Sequence, residues 1–79
     1  MFDRVKNYIV DNEFRLTLYV DMVHMINYTK IISLEENRIV VLSPLKKIVI
    51  TGNHLHLSRL LEEEILIKGN IEHIEVENV

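Results

Sequence analysis

Residues 48–70, IVITGNHLHLSRLLEEEILIKGN, contain one short phrase twice. Residues 48–53, IVITGN, return as residues 65–70, ILIKGN, at an offset of 17. Isoleucine at alternate positions is typical of a β-strand, and Gly-Asn is typical of a turn. The repeat therefore predicts strands separated by turns, and it contains no pattern of residues that would form a reaction centre.

The composition is that of a small globular domain. With 79 residues and a 48% hydrophobic share, the chain can fold but buries a modest fraction of its surface, so an oligomer or a partner is compatible with it. The absence of cysteine excludes disulfides and thiolate metal sites. A net charge of −3 with scattered basic residues argues against a nucleic-acid partner. No apolar run suggests a transmembrane segment and the start does not resemble a secretory signal, so we expect a cytoplasmic protein.

The chain is expected to form a single β domain over residues 14–79, preceded by an N-terminal segment, residues 1–13. In that segment, the spacing of Phe2, Val5 and Ile9 is compatible with a short helix. The domain itself alternates apolar and polar residues in a series of short runs, as half-buried strands do. Between these runs, three two-residue turns set apolar residues opposite one another on one face. These turns, with the pairs they predict, are Asp21–Met22 (Val20–Val23, Leu18–Met25), Glu36–Asn37 (Leu34–Ile39, Ile32–Val41) and Gly52–Asn53 (Ile50–Leu55, Ile48–Leu57).

Two architectures fit the 17-residue repeat. The favoured one is all-β, a small antiparallel β-hairpin sandwich or barrel. The alternative is a short β-solenoid, in which Ile31, Ile48 and Ile65 would stack on successive coils. Residues 58–64 are compatible with either a capped helical turn or a loop. The predicted core consists of Leu16, Leu18, Ile32, Val41, Ile48, Ile50, Leu55, Leu57, Ile65 and Ile67.

Beyond this pattern, the chain from Phe14 onward resembles the YabP/YqfC family of bacterial sporulation proteins. The residues that carry the resemblance are INY at 26–28 with Ile31, IVV at 39–41, IVITGNHLHL at 48–57 and EILIKGNIEHI at 64–74. The resemblance implies a protein of the mother cell that functions in spore envelope or coat assembly, alongside other sporulation or spore-envelope proteins. It implies no catalytic activity and no cofactor. We therefore expect a non-enzymatic structural or protein-interaction role, in the mother-cell cytoplasm or at the developing spore surface.

A different function would follow if the histidines formed a metal site. His54 and His56 are predicted to share one strand face, and His73 follows His56 at the repeat distance of 17. Clustered neutral imidazoles can ligate zinc. The alternative function is therefore a small metal- or ligand-binding β domain with a histidine-bearing face. Isolated histidines are nevertheless common on the polar face of a sheet, so solvated surface residues are the favoured interpretation and no metal site is assigned.

Other polar and aromatic residues suggest an interaction surface more readily than chemistry. The contiguous acids Glu62, Glu63 and Glu64 lack the spaced oxygen ligands of a calcium loop, and a solvated acidic loop is expected. Tyr19 falls on the outer face of its strand, where tyrosine can anchor an interface. The last strand, residues 71–77, places three carboxylates among apolar residues. If this strand is a sheet edge, we expect it to repel an identical copy and to accept a basic partner.

Overall fold

The computed structural model describes residues 13–79, which form one sheet of six antiparallel strands and contain no helix. The all-β prediction is confirmed, while the short helix expected around Val5 lies outside the described residues. The strands follow the spatial order β1-β2-β6-β5-β4-β3. They are β1 (Arg15–Leu18), β2 (Met22–Ile26), β3 (Lys30–Glu35), β4 (Arg38–Leu42), β5 (Lys46–Leu60) and β6 (Glu64–Asn78).

Two long central strands organise the sheet. β5 and β6 have 15 residues each and pair with one another along their length. Within residues 13–79, only the first part of each has a second neighbour, since β4 pairs with residues 47–51 of β5 and β2 pairs with residues 64–68 of β6. The β3–β4 half therefore joins the start of β5, and the β1–β2 half joins the start of β6.

The two halves pack face to face around one core. β2 and β4 are not neighbours in the sheet, yet their apolar residues belong to the same buried cluster. A single flat layer would leave this face open to water, so the sheet must bend and bring its halves together. The core members are Val23, Met25, Ile39, Val41, Ile48, Ile50, Leu55, Ile65 and Ile67.

The bend occurs at the repeated Gly-Asn pairs, which are not turns. Both lie inside the long strands, and Asn53 is paired with Asn70. A Cβ on Gly52 would overlap the backbone carbonyl oxygen of Asn70, and one on Gly69 would lie 2.5 Å from that of His54. The predicted turns at residues 52–53 and at Gly69 are therefore wrong. Glycine is present because the two backbones approach too closely for a side chain, at irregularities in the ladder.

Because residues 52–53 form no turn, Gly52 does not need a positive φ and does not have one. Among the described residues, positive φ angles occur at Asn27 (60°), His54 (57°) and Gly69 (135°). The predicted pairs of Ile48 and Ile50 with leucines of the same strand are consequently wrong. Ile48 lies between Val41 and Val76, and Ile50 lies between Ile39 and Ile74.

The other two predicted turns are closer to the observed structure. β3 and β4 are joined at residues 36–37, with Leu34 opposite Ile39 as predicted. A register shift between Ile31 and Ser33 then places Ile31, rather than Ile32, opposite Val41. The β1–β2 connection is two residues longer than predicted, so Leu18 pairs with Val23 and Leu16 with Met25. A slip of two residues preserves the faces, since side chains alternate with a period of two.

Two predicted core residues lie at the surface. Leu18 is 58% exposed because it ends an edge strand, and Ile32 is 52% exposed because it occupies the irregularity in β3. Leu16 and Leu57 are partly buried against the core, and the other six predicted members are buried. The predicted core omitted five buried hydrophobic residues, which are Val23, Met25, Ile39, Val40 and Val49.

The remaining segment, residues 58–64, contains the hairpin that joins the long strands. β5 continues to Leu60 and β6 begins at Glu64, with the Leu61 N–H donating to the Glu64 carbonyl at 2.8 Å. The capped helical turn is therefore wrong. The solenoid is wrong as well, because every observed strand pair is antiparallel. Within residues 13–79 there is no helix of the length and apolarity needed to cross a membrane.

Candidate protein interaction site

The histidines considered for a metal site are not brought together by the repeat. His56 is opposite Lys68, whereas His73 is opposite Thr51 on the other side of the bend. His54 occupies the irregularity between them, and its carbonyl oxygen lies 3.1 Å from Nδ1 of His56. Within the described part of the chain, no three histidine or carboxylate side chains are grouped as metal ligands would be. The geometry therefore offers no observation in favour of the metal-binding alternative.

The fourth histidine has a partner that sequence spacing did not reveal. Nε2 of His24 lies 2.5 Å from Oε2 of Glu64, and both side chains are partly buried. Glu64 belongs to the acidic run expected to form a loop, but it is the first residue of β6 and pairs with Ile26. Glu62 and Glu63 remain in the turn and are exposed. The His24–Glu64 contact joins neighbouring strands on the outer face and adds a side-chain contact to the β2–β6 ladder.

The most distinctive surface of the fold is a free strand edge. After Gly69, whose N–H donates to the Asp21 carbonyl at 3.3 Å, β6 has a described neighbour only on its β5 side. In an antiparallel ladder, alternate residues point their N–H and C=O groups away from a given neighbour. The second part of β6, residues 70–78, therefore presents backbone hydrogen-bonding groups that another strand can use. The condition stated for residues 71–77, that they form a sheet edge, is met among the described strands.

A groove runs between this edge and the β1–β2 turn. Its volume is about 340 Å³. Val20 is 100% exposed, and neighbouring Leu18 and Tyr19 are also exposed. Tyr19 was expected on the outer face of a strand and instead lies just after β1, where it is exposed, and Leu18 was expected in the core. The groove is lined by Leu18, Tyr19, Val20, Ile71, Glu72, His73 and Ile74.

The β6 edge has a different character on each of its faces. Ile74 and Val76 are opposite the core residues Ile50 and Ile48, so they continue the inner face. Alternate residues point to the other side. His73, Glu75 and Glu77 therefore lie on the outer face, opposite Thr51, Val49 and Lys47.

The three carboxylates of this edge differ in their surroundings. Glu77 faces Lys47 across the ladder, and Glu72 accepts a hydrogen bond from Nδ2 of Asn53 at 3.0 Å. Glu75 faces Val49, so it has no charged residue directly opposite it on β5. Its carboxylate is exposed. Glu75 is therefore the acidic group of this edge that is best placed to meet a charge on an added strand.

One comparison with known proteins identifies a family for this chain. Residues 11–79 match the family model described as the YabP family. No curated protein and no solved structure gives a significant match. The match covers nearly the whole chain, including every strand of the described sheet. The chain therefore belongs to the YabP family, a membership that suggests a sporulation-related protein.

Proposed function

We propose that this protein is a non-enzymatic component of spore assembly that acts by binding other spore-envelope proteins. Its site of action would be the mother-cell cytoplasm, at the surface of the developing spore. The observation that carries the proposal is the family match over residues 11–79 together with the edge of β6 that pairs with no second strand among the described residues. An open strand edge supplies main-chain hydrogen bonds to a partner, and neighbouring side chains add specificity.

The shape of the described surface supports binding over chemistry. The grooved region has exposed apolar residues beside a backbone edge, which is a common arrangement for recognising an extended segment. Acid–base catalysis would instead require titratable groups gathered in a cleft with perturbed pKa values. The interaction role is therefore the function that this geometry supports best.

The proposal is tested in sporulating cells of the source organism. We expect a tagged copy to appear in the mother cell and to concentrate at the developing spore, and we expect deletion to impair spore envelope assembly. Complementation with the wild-type gene should restore assembly. A variant with the core disrupted, Ile67→Asp, should not restore it, since Ile67 is fully buried. Uniform distribution in vegetative cells, together with normal spores after deletion, would contradict the proposal.

A further inference from the structure

The two open sides of the folded sheet are not equivalent. On one side, Cα atoms of β3 and β5 come within 8 Å of each other, and the Leu55 N–H donates to the Glu36 carbonyl at 2.8 Å. On the other side, no Cα of β1 lies within 8 Å of a Cα of β6. Among the described residues, no backbone N–H donates to the Val20 carbonyl in the way that the Leu55 N–H donates to the Glu36 carbonyl. The gap between β1 and β6 is therefore the wider one, and it contains the groove.

We propose that this gap binds an extended segment of a partner protein, which pairs with residues 71–77 of β6 as an added strand. This inference deepens the proposed function and rests on it. The partner's chemistry follows from the pleat of the sheet. Side chains of an added strand that point inward would meet Leu18, Ile74 and Val76, while those that point outward would meet Glu75 and Glu77. The matching segment therefore alternates apolar and basic residues.

A second copy of this chain fits the edge less well. Residues 69–79 contain three glutamates and neither lysine nor arginine. An identical edge laid alongside would bring carboxylates, one histidine and apolar residues, but no strong cation to meet Glu75. Like charges on neighbouring strands are destabilising, whereas opposite charges stabilise a cross-strand pair. Charge complementarity therefore favours a basic segment of a different protein.

The test uses the full chain and a defined probe, a synthetic peptide of alternating lysine and valine. The control is a peptide of the same length in which a central valine is replaced by proline, because proline removes a ladder hydrogen bond while the charge is unchanged. We expect saturable binding of the first peptide, with amide hydrogen exchange slowed at residues 71–77. The control peptide should bind about tenfold more weakly or not at all.

Matched variants locate the binding. Leu18→Asp should weaken peptide binding by about tenfold, whereas Leu34→Asp should leave it unchanged. Leu34 is the penultimate residue of the opposite edge strand, β3, and is 54% exposed, against 58% for Leu18, so both variants should fold. Glu75→Lys should weaken binding in the same way, and Glu62→Lys makes the same charge change in the distant β5–β6 turn.

Besides a failure of the peptide to bind, three results would overturn the inference. The first is that the peptide slows amide hydrogen exchange at β3 or at the end of β5 and not at residues 71–77. The second is that Leu18→Asp and Leu34→Asp weaken peptide binding equally. The third is that the protein alone forms polymers in which amide exchange at residues 71–77 is slowed. The deletion experiment in sporulating cells tests the proposed function independently of peptide binding. Absence of peptide binding with a sporulation defect on deletion would reject only the gap as a binding site. Peptide binding without any defect would reject the proposed spore function.

Discussion

The β1–β2 half and the β3–β4 half are built alike, yet they differ on their outer faces and at their open sides. Each half is a hairpin that joins the first part of a long strand, just before a Gly-Asn pair. The inner positions correspond closely. Val23–Ile67 and Met25–Ile65 in the β1–β2 half occupy the places of Ile39–Ile50 and Val41–Ile48 in the β3–β4 half.

The two halves differ in the residues of their outer faces. In the β3–β4 half, Val40 and Val49 are paired and almost fully buried. In the β1–β2 half, the corresponding pair is His24 and Leu66, both partly buried, and His24 contacts Glu64. The shared inner positions build the common core, while the differences are at the surface. The wider gap, where we place the partner, is one of these differences.

The largest loss of stability is expected from substitution of the two glycines. The two substitutions together test whether the bend depends equally on the glycine of β5 and the glycine of β6. Gly52→Ala and Gly69→Ala should each destabilise by about 4 kcal/mol or more, because an added Cβ meets backbone on the opposite strand. Chemical denaturation of the two variants measures this. Near wild-type stability in either one would show that the strands separate easily at the bend.

The next test compares equivalent core residues. Ile50→Ala and Ile67→Ala should each cost roughly 2–5 kcal/mol, since both side chains are fully buried and neither site can collapse without moving the opposite layer. The free energies of unfolding should agree within about 1 kcal/mol if the halves contribute equally to one core. A large loss in only one variant would mean that the halves unfold separately.

A smaller effect is expected on the outer face, where the halves differ. Val49→Ala should cost about 1.5 kcal/mol, from two buried methyl groups. Leu66→Ala, at the corresponding position, should cost less per carbon removed because Leu66 is only partly buried. Equal costs per carbon would show that both outer faces are equally covered in solution.

The His24–Glu64 contact should contribute little. A double-mutant cycle with His24→Val and Glu64→Gln is expected to give a coupling free energy of about 0.3–1 kcal/mol, since both side chains are partly exposed to water. His24→Val also makes this outer face resemble that of the β3–β4 half. A coupling free energy above about 2 kcal/mol would show that the contact is a major contribution to the stability of the β2–β6 pairing.

The smallest effect is expected at the ends of the edge strands. Leu18→Asp and Leu34→Asp should change stability by no more than about 0.5 kcal/mol, because both leucines are mostly exposed. Thermal unfolding measures this directly. A large loss of stability in Leu18→Asp alone would mean that Leu18 closes the gap in the free protein, which would leave no room there for a partner strand.

Much of the fold could be predicted from local alternation, because a strand's two faces are encoded residue by residue. The β3–β4 turn, the antiparallel class and six of ten core residues followed in this way. The Gly-Asn pairs were misassigned because a close backbone approach and a tight turn both favour glycine. Only the pairing of Asn53 with Asn70, which are distant in sequence, distinguishes them.

The candidate site was only partly visible in the sequence. The carboxylates of residues 71–77 suggested a basic partner, and Tyr19 suggested an interface. Leu18 gave no such signal, because alternation predicts an apolar residue to be in the core whether or not another part of the protein packs over it. Its exposure depends on β1 being an edge strand, which is a property of the strand order.

The amino-acid sequence by itself determined that this protein is a small antiparallel β domain of the YabP family, with its apolar residues on one face of each strand. These properties depend on short-range alternation and on the order of local motifs. Only the tertiary structure decided that the two long strands bend at their glycines, that the halves share one core, and that β6 keeps a free edge beside an open gap. The reason is that bending, burial and edge exposure arise from contacts between residues far apart in the chain, which no local pattern specifies.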